Sequence, residues 1–243
     1  MDRASLPGTC PYHEGAIAII RVLSAIVLLA MVFPAAAQVP PTPAQVAAYD
    51  GLHRAAHAND AAAVAALAAD GADLDGRDES GRTPAHVAAF ASSEAALRAL
   101  AEAGADMNAL ENQAYDVVTI AAVANDVEML SLALELGNRA DLVTSPYEGT
   151  ALIAAAHLGH QEVVRRLIAA GAPLDHVNNL GWTALIEAVV LGNGGANHIA
   201  TVRSLVEAGA DPSIADREGV TPLRHAKDRG YAEIAQLIRA AEN

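Results

Sequence analysis

Residues 150–175 read TALIAAAHLGHQEVVRRLIAAGAPLD. A largely apolar run, Ala151 to Leu158, and an amphipathic one, Val163 to Ile168, are separated by Gly159 and followed by Gly171. In the second run Val163, Val164, Leu167 and Ile168 have the three-and-four spacing of one helix face. Gly171 stands where a helix stops in the left-handed conformation, which glycine adopts without strain. The stretch predicts a short helix, a turn, a second helix and a glycine-led connector.

The same unit returns along the chain. Equivalent starts fall at Asp50, Thr83, Asp116, Thr150, Thr183 and Thr221, separated by 33, 33, 34, 33 and 38 residues. A near-constant period of this length marks a repeat array. Five residues after each start stands an alanine: Ala55, Ala88, Ala121, Ala155, Ala188 and Ala226. So small a side chain lets neighbouring first helices stack closely. Gly71, Gly104, Gly137 and Gly209 repeat the role expected of Gly171.

The stretches GRTPAHVAA (81–89), EAGADMNAL (102–110) and VRSLVEAGADPSIADREGVTPL (202–223) resemble ankyrin repeats. The resemblance covers residues 49–243 as six units. It implies an all-α repeat solenoid, an L-shaped ankyrin-like stack of helix–turn–helix units with projecting hairpin-like fingers. The first unit lacks Thr-Pro and would be the N-terminal cap, and the shorter last unit the C-terminal cap. The third unit departs most: Asp116-Val117-Val118-Thr119 replaces Thr-Pro-Leu-His, and the finger after Gly137 carries one extra residue.

Ahead of the repeats, Arg21 precedes the uncharged run VLSAIVLLAMVF (22–33), and Ala35-Ala36-Ala37 fits a small-residue cleavage site. Residues 1–37 are therefore expected to be a signal peptide, with export to the periplasm. The alternative is an inner-membrane anchor left uncleaved. Residues 38–48 read as a linker, extended over QVPPTP (38–43). The single cysteine, Cys10, lies upstream of the apolar run, so a mature chain would have neither disulfide nor thiol nucleophile.

The formal charge is −14 and the pI about 4.9. That excludes a nucleic-acid partner, since phosphate binding requires a basic footprint. The glycine-rich run GNGGANHIATV (192–202) invites comparison with a phosphate loop. Such a loop wants a preceding strand and a Lys-Ser or Lys-Thr after its last glycine, and neither is present. Aligned with the fourth unit, Asn193 to Asn197 is instead a five-residue insertion, expected as a flexible turn between two helices.

His53 and His57, or His157 and His160, could be taken for metal pairs. The resemblance gives His53 and His86 a structural role, tying neighbouring units by hydrogen bonds, and places His160 and His198 at the start of second helices. No constellation requires catalysis, and no cofactor is expected. Function then falls to exposed positions. Seven residues after the starts stand His57, Phe90, Val123, His157, Val190 and Asp228; the next row holds Leu158 and Leu191. At the finger bases stand Tyr115, Tyr147, Leu180 and Trp182, in a chain with 3% aromatics. The candidate partner site is Phe90, Tyr115, Tyr147, His157, Leu180, Trp182 and Val190. Asp78, Glu79, Asp216 and Glu218 would set its charge preference. The expectation is a monomeric, non-catalytic module that binds another protein and is free of the membrane after cleavage. The alternative is a small-molecule or metal-binding accessory protein using the histidines of the groove.

Overall fold

The computed structural model describes residues 38–242, so the signal expected over residues 1–37 lies outside the described residues. A short α1 (Pro43–Ala48) precedes six helix pairs. These are α2 (Gly51–His57) with α3 (Ala61–Ala69), α4 (Pro84–Phe90) with α5 (Glu94–Ala103), and α6 (Val117–Ala124) with α7 (Val127–Glu135). They continue with α8 (Ala151–Leu158) and α9 (Gln161–Ala169), α10 (Ala184–Val190) and α11 (Ala196–Glu207), α12 (Pro222–Asp228) and α13 (Ala232–Ala241). Each first helix packs on the first helix of the next unit, and each second helix on the next second helix.

The core follows from that stacking. All six row alanines are buried, four of them packed between first helices on both sides. The second helices supply the bulk: Leu97, Leu100, Leu130, Leu167, Leu205 and Ile234 are at most 1% exposed. The five helix-ending glycines have φ between +82° and +97°, and an added Cβ at any of them would meet nothing. Their requirement is conformational and not steric.

First helices begin on side-chain caps. The hydroxyls of Thr150, Thr183 and Thr221 accept from the backbone N–H three residues on, at 3.3, 3.2 and 3.3 Å. In the divergent third unit Asp116 takes over the task, accepting from Thr119 N at 2.8 Å. A cap of this kind is worth about 1 kcal/mol, so the departure from Thr-Pro-Leu-His preserves the helix start.

Among the described residues the fingers contain no strand, only an isolated bridge between Thr144 and Gly149. Each finger closes by one backbone bond: Asp78 N to Arg82 O, Glu111 N to Tyr115 O, Asn178 N to Trp182 O and Asp216 N to Val220 O. These turns span five residues. The corresponding bond in the finger after Gly137, Thr144 N to Gly149 O at 2.8 Å, spans six. The extra residue is absorbed there, in the closing turn.

Two expectations need correction. The linker expected over residues 38–48, extended through Pro43, instead turns helical from Pro43 to Ala48, capped by Thr42 and Gln45 in a reciprocal capping box. Gln45 Nε2 donates to Ser80 Oγ at 3.4 Å, and Tyr49 Oη donates to Asp78 at 2.8 Å. The segment thus holds the place of a finger ahead of the first unit. The insertion remains a turn only as far as Gly195 and is helical beyond it. Ala196, Asn197 and His198 lengthen α11 to 12 residues, against nine in α9, where His160 is the N-cap. Asn193 Oδ1 accepts from Gly195 N at 2.9 Å, and Tyr231 Oη donates to Gly192 O at 3.1 Å.

Candidate functional site

The face shared by the fingers and first helices is held together by polar ties between successive units. His53 Nε2 lies 3.0 Å from Arg82 O and His86 Nε2 3.0 Å from Tyr115 O. His160 Nδ1 lies 2.9 Å from Ala122 O and His198 Nε2 3.0 Å from His157 O. In each case a ring N–H donates to a backbone carbonyl: His53 and His86 to the last residue of their own unit, where the next unit begins, and His160 and His198 to the preceding unit. Four histidines are thereby committed to the stack. Among the described residues no group of three or more His, Cys, Asp or Glu could hold a metal ion.

The site residues divide by exposure. Leu180 is 40% exposed, and Tyr147, Trp182 and Val190 are half-buried. Phe90 packs against the core, with the Arg82 guanidinium carbon 5.6 Å from its ring centroid, a cation–π contact. Tyr115 must be withdrawn from the site. It is 6% exposed and belongs to the core, because neighbouring side chains close over it.

Beneath Trp182 and Leu180 lies a polar layer that the alignment did not identify. Asn178 Oδ1 accepts from Leu180 N and Trp182 N, both at 3.0 Å, and Asn178 Nδ2 donates to Glu187 Oε1 at 2.8 Å. The other oxygen of Glu187 is 3.4 Å from His157 Nδ1. A buried carboxylate on the first helix of the fifth unit thus joins the finger and the first helix of the fourth, and an amide and an imidazole satisfy it. It fixes the backbone that presents Leu180 and Trp182.

Two of the four acids expected to set charge preference are structural. Asp78 accepts from Tyr49 Oη, from the N–H groups of Ser80 and Arg82 at 2.8 and 2.9 Å, and from the Arg82 guanidinium at 3.3 Å. Burial opposes its ionisation, yet these hydrogen bonds outweigh burial and hold its carboxyl below the ordinary range. Asp216 is paired with His225 at 2.7 Å, its side chain 4% exposed. Glu79 and Glu218 stand exposed.

A family model of ankyrin repeats (3 copies) matches residues 36–111 and 118–216. The chain belongs to the ankyrin repeat family. The start of that match at residue 36 agrees with a stack that includes α1. An ankyrin repeat domain from Acinetobacter baumannii AYE is 45% identical, with a TM-score of 0.74 over 79% of this chain and 97% of that one. The ankyrin repeat protein EF0377 is 33% identical, with a TM-score of 0.72 over 79% and 98%. The ankyrin repeat protein YahD of Escherichia coli K12 is 39% identical over 117 residues, which span 48% of this chain and 58% of YahD. Ankyrin repeats are generally protein–protein interaction modules, and proteins built from them are generally not enzymes.

Proposed function

We propose that this ankyrin stack is an exported, non-catalytic module that binds another protein through the face shared by its fingers and first helices in the fourth and fifth units. The observation that carries the proposal is the placement of Trp182 and Leu180. Both stand on a finger whose backbone is pinned by Asn178 and Glu187, and Leu180 turns 40% of its surface to water. Large side chains on a rigid support lose little entropy on binding, which is the property of an interface anchor. Export rests on the apolar run 22–33 and the alanines that follow it.

A photo-crosslinking amino acid at position 180 tests the binding face, with position 165 on the second-helix side as control. In the producing cell, position 180 is expected to join one defined protein and position 165 none. Equal labelling from both would count against this face. The mass of the exported protein tests processing: a chain beginning at Gln38 is expected, and one retaining residues 1–37 would favour the anchor.

A further inference from the structure

Among the described residues six large apolar side chains are exposed, and five of them lie between residues 143 and 191: Val143, Leu158, Val177, Leu180 and Leu191. Repeat register orders them. Val143 and Val177 each stand six residues after a helix-ending glycine, at one place in successive fingers. Leu158 and Leu191 each stand eight residues after a unit start, at the far ends of α8 and α10. The third to fifth units therefore carry apolar side chains along both edges of the face that holds Trp182. A concentration of this kind on an otherwise polar surface marks a contact site.

Charge is distributed toward the other end. Residues 38–138 hold 15 acidic and four basic side chains, a net −11, whereas residues 139–242 hold 12 and nine, a net −3. Among the described residues, ion pairs follow the basic groups. Within residues 38–138 Arg82 pairs with Asp78, and five arginine–carboxylate pairs lie beyond. The finger carboxylates Asp73 and Asp106 each turn one oxygen to a backbone N–H, of Asp75 at 3.1 Å and Asn108 at 2.9 Å, and keep their charge toward water. Glu79 beside them is exposed.

We propose that these two regions form one docking surface and that its occupant is a cationic polypeptide segment lying along the fingers. Its apolar side chains seat on Val143, Val177 and Leu180, and its basic side chains lie over Asp106, Glu79 and Asp73. The proposal rests on the interaction-module reading and adds to it the chemistry and polarity of the partner. Charge complementarity selects the occupant. An anionic segment, or a second copy of this acidic chain, would be repelled across the Debye length of about 10 Å at 0.1 M salt. Stacked helices lie about 8–10 Å apart and an extended chain advances about 3.3–3.6 Å per residue. One unit is therefore crossed in about three residues, and the apolar residues of the segment recur at about that interval.

Selection of displayed random peptides of about 16 residues on the purified protein tests this. The enriched pool is expected to carry net positive charge with apolar residues about three apart. Its capture should fall roughly ten-fold when NaCl rises from about 50 to about 500 mM. Capture should fall roughly ten-fold again on the double variant Val177→Ser/Leu180→Ser, which touches exposed side chains only and whose melting is measured alongside. A neutral or acidic pool that still loses capture in that variant would overturn the cationic assignment and leave the interaction reading standing. A cationic pool indifferent to the variant, or no enriched pool, would overturn the docking surface; crosslinking at position 180 then decides the interaction reading separately.

Discussion

His86 sits at the join of the second and third units with both ring nitrogens engaged. Thr83 N donates to Nδ1 at 3.1 Å, which leaves Nε2 to carry the hydrogen that Tyr115 O accepts. A second proton would have to enter at Nδ1, against that N–H. Burial is the larger obstacle to charging the ring, and its pKa is pushed down to about 4 from 6.5. The unfolded chain binds this proton below pH 6.5 and the folded chain does not. Stability is therefore complete above pH 6.5 and lost as pH falls toward 4, at no more than about 1.4 kcal/mol per pH unit. Denaturant unfolding across that window should show the loss, and His86→Gln should flatten it. The closing turns offer a second test. Gly81, Gly181 and Gly219 take positive φ in theirs, but Ala114 is held at φ +59°. A left-handed alanine costs about 1–2 kcal/mol, so Ala114→Gly should raise the unfolding midpoint. A lowered midpoint would mean that the methyl group packs usefully.

At the scale of elements, the insertion in the fifth unit is a joint between units. Tyr231 of the sixth unit reaches back to Gly192 O, and a Cβ at Gly192 would meet Ala188 O at 2.1 Å and the His198 ring at 2.5 Å. Gly192→Ala should destabilise by about 1–3 kcal/mol, and Tyr231→Phe by about 1 kcal/mol. Chemical denaturation measures both; near-zero changes would return the insertion to a passive loop. The helix pairs, the alanine row and the glycine stops were legible in the sequence, because each is a demand made by the backbone at one fixed register position. Helix α1 was not, since residues 43–48 lie ahead of the first unit start and become helical on a cap supplied by Thr42 and Gln45. Nor was the Asn178–Glu187–His157 layer. It joins residues of different units, and their meeting depends on the offset between stacked layers. Tyr115 and Trp182 share a register position, yet one is core and the other half-exposed; register fixes the backbone place and neighbouring side chains decide the burial.

Across the whole molecule, stability should be uneven in salt. The first half carries a net −11, and self-repulsion of that kind weakens as the Debye length shrinks from about 30 Å at 0.01 M to about 8 Å at 0.15 M. Hydrogen exchange should show α3 and α5 gaining more protection than α11 on addition of salt. A uniform response would mean that the charge asymmetry has no energetic weight. The account as a whole claims that binding residues are separable from the residues that hold the stack. Trp182→Ala against Tyr115→Ala, each assayed for melting and for capture of the protein crosslinked at position 180, tests this most directly. Trp182→Ala should reduce capture by more than about ten-fold while melting shifts by less than about 3 °C. Tyr115→Ala should melt well below the parent chain. Loss of capture and stability in equal measure at Trp182 would contradict the claim.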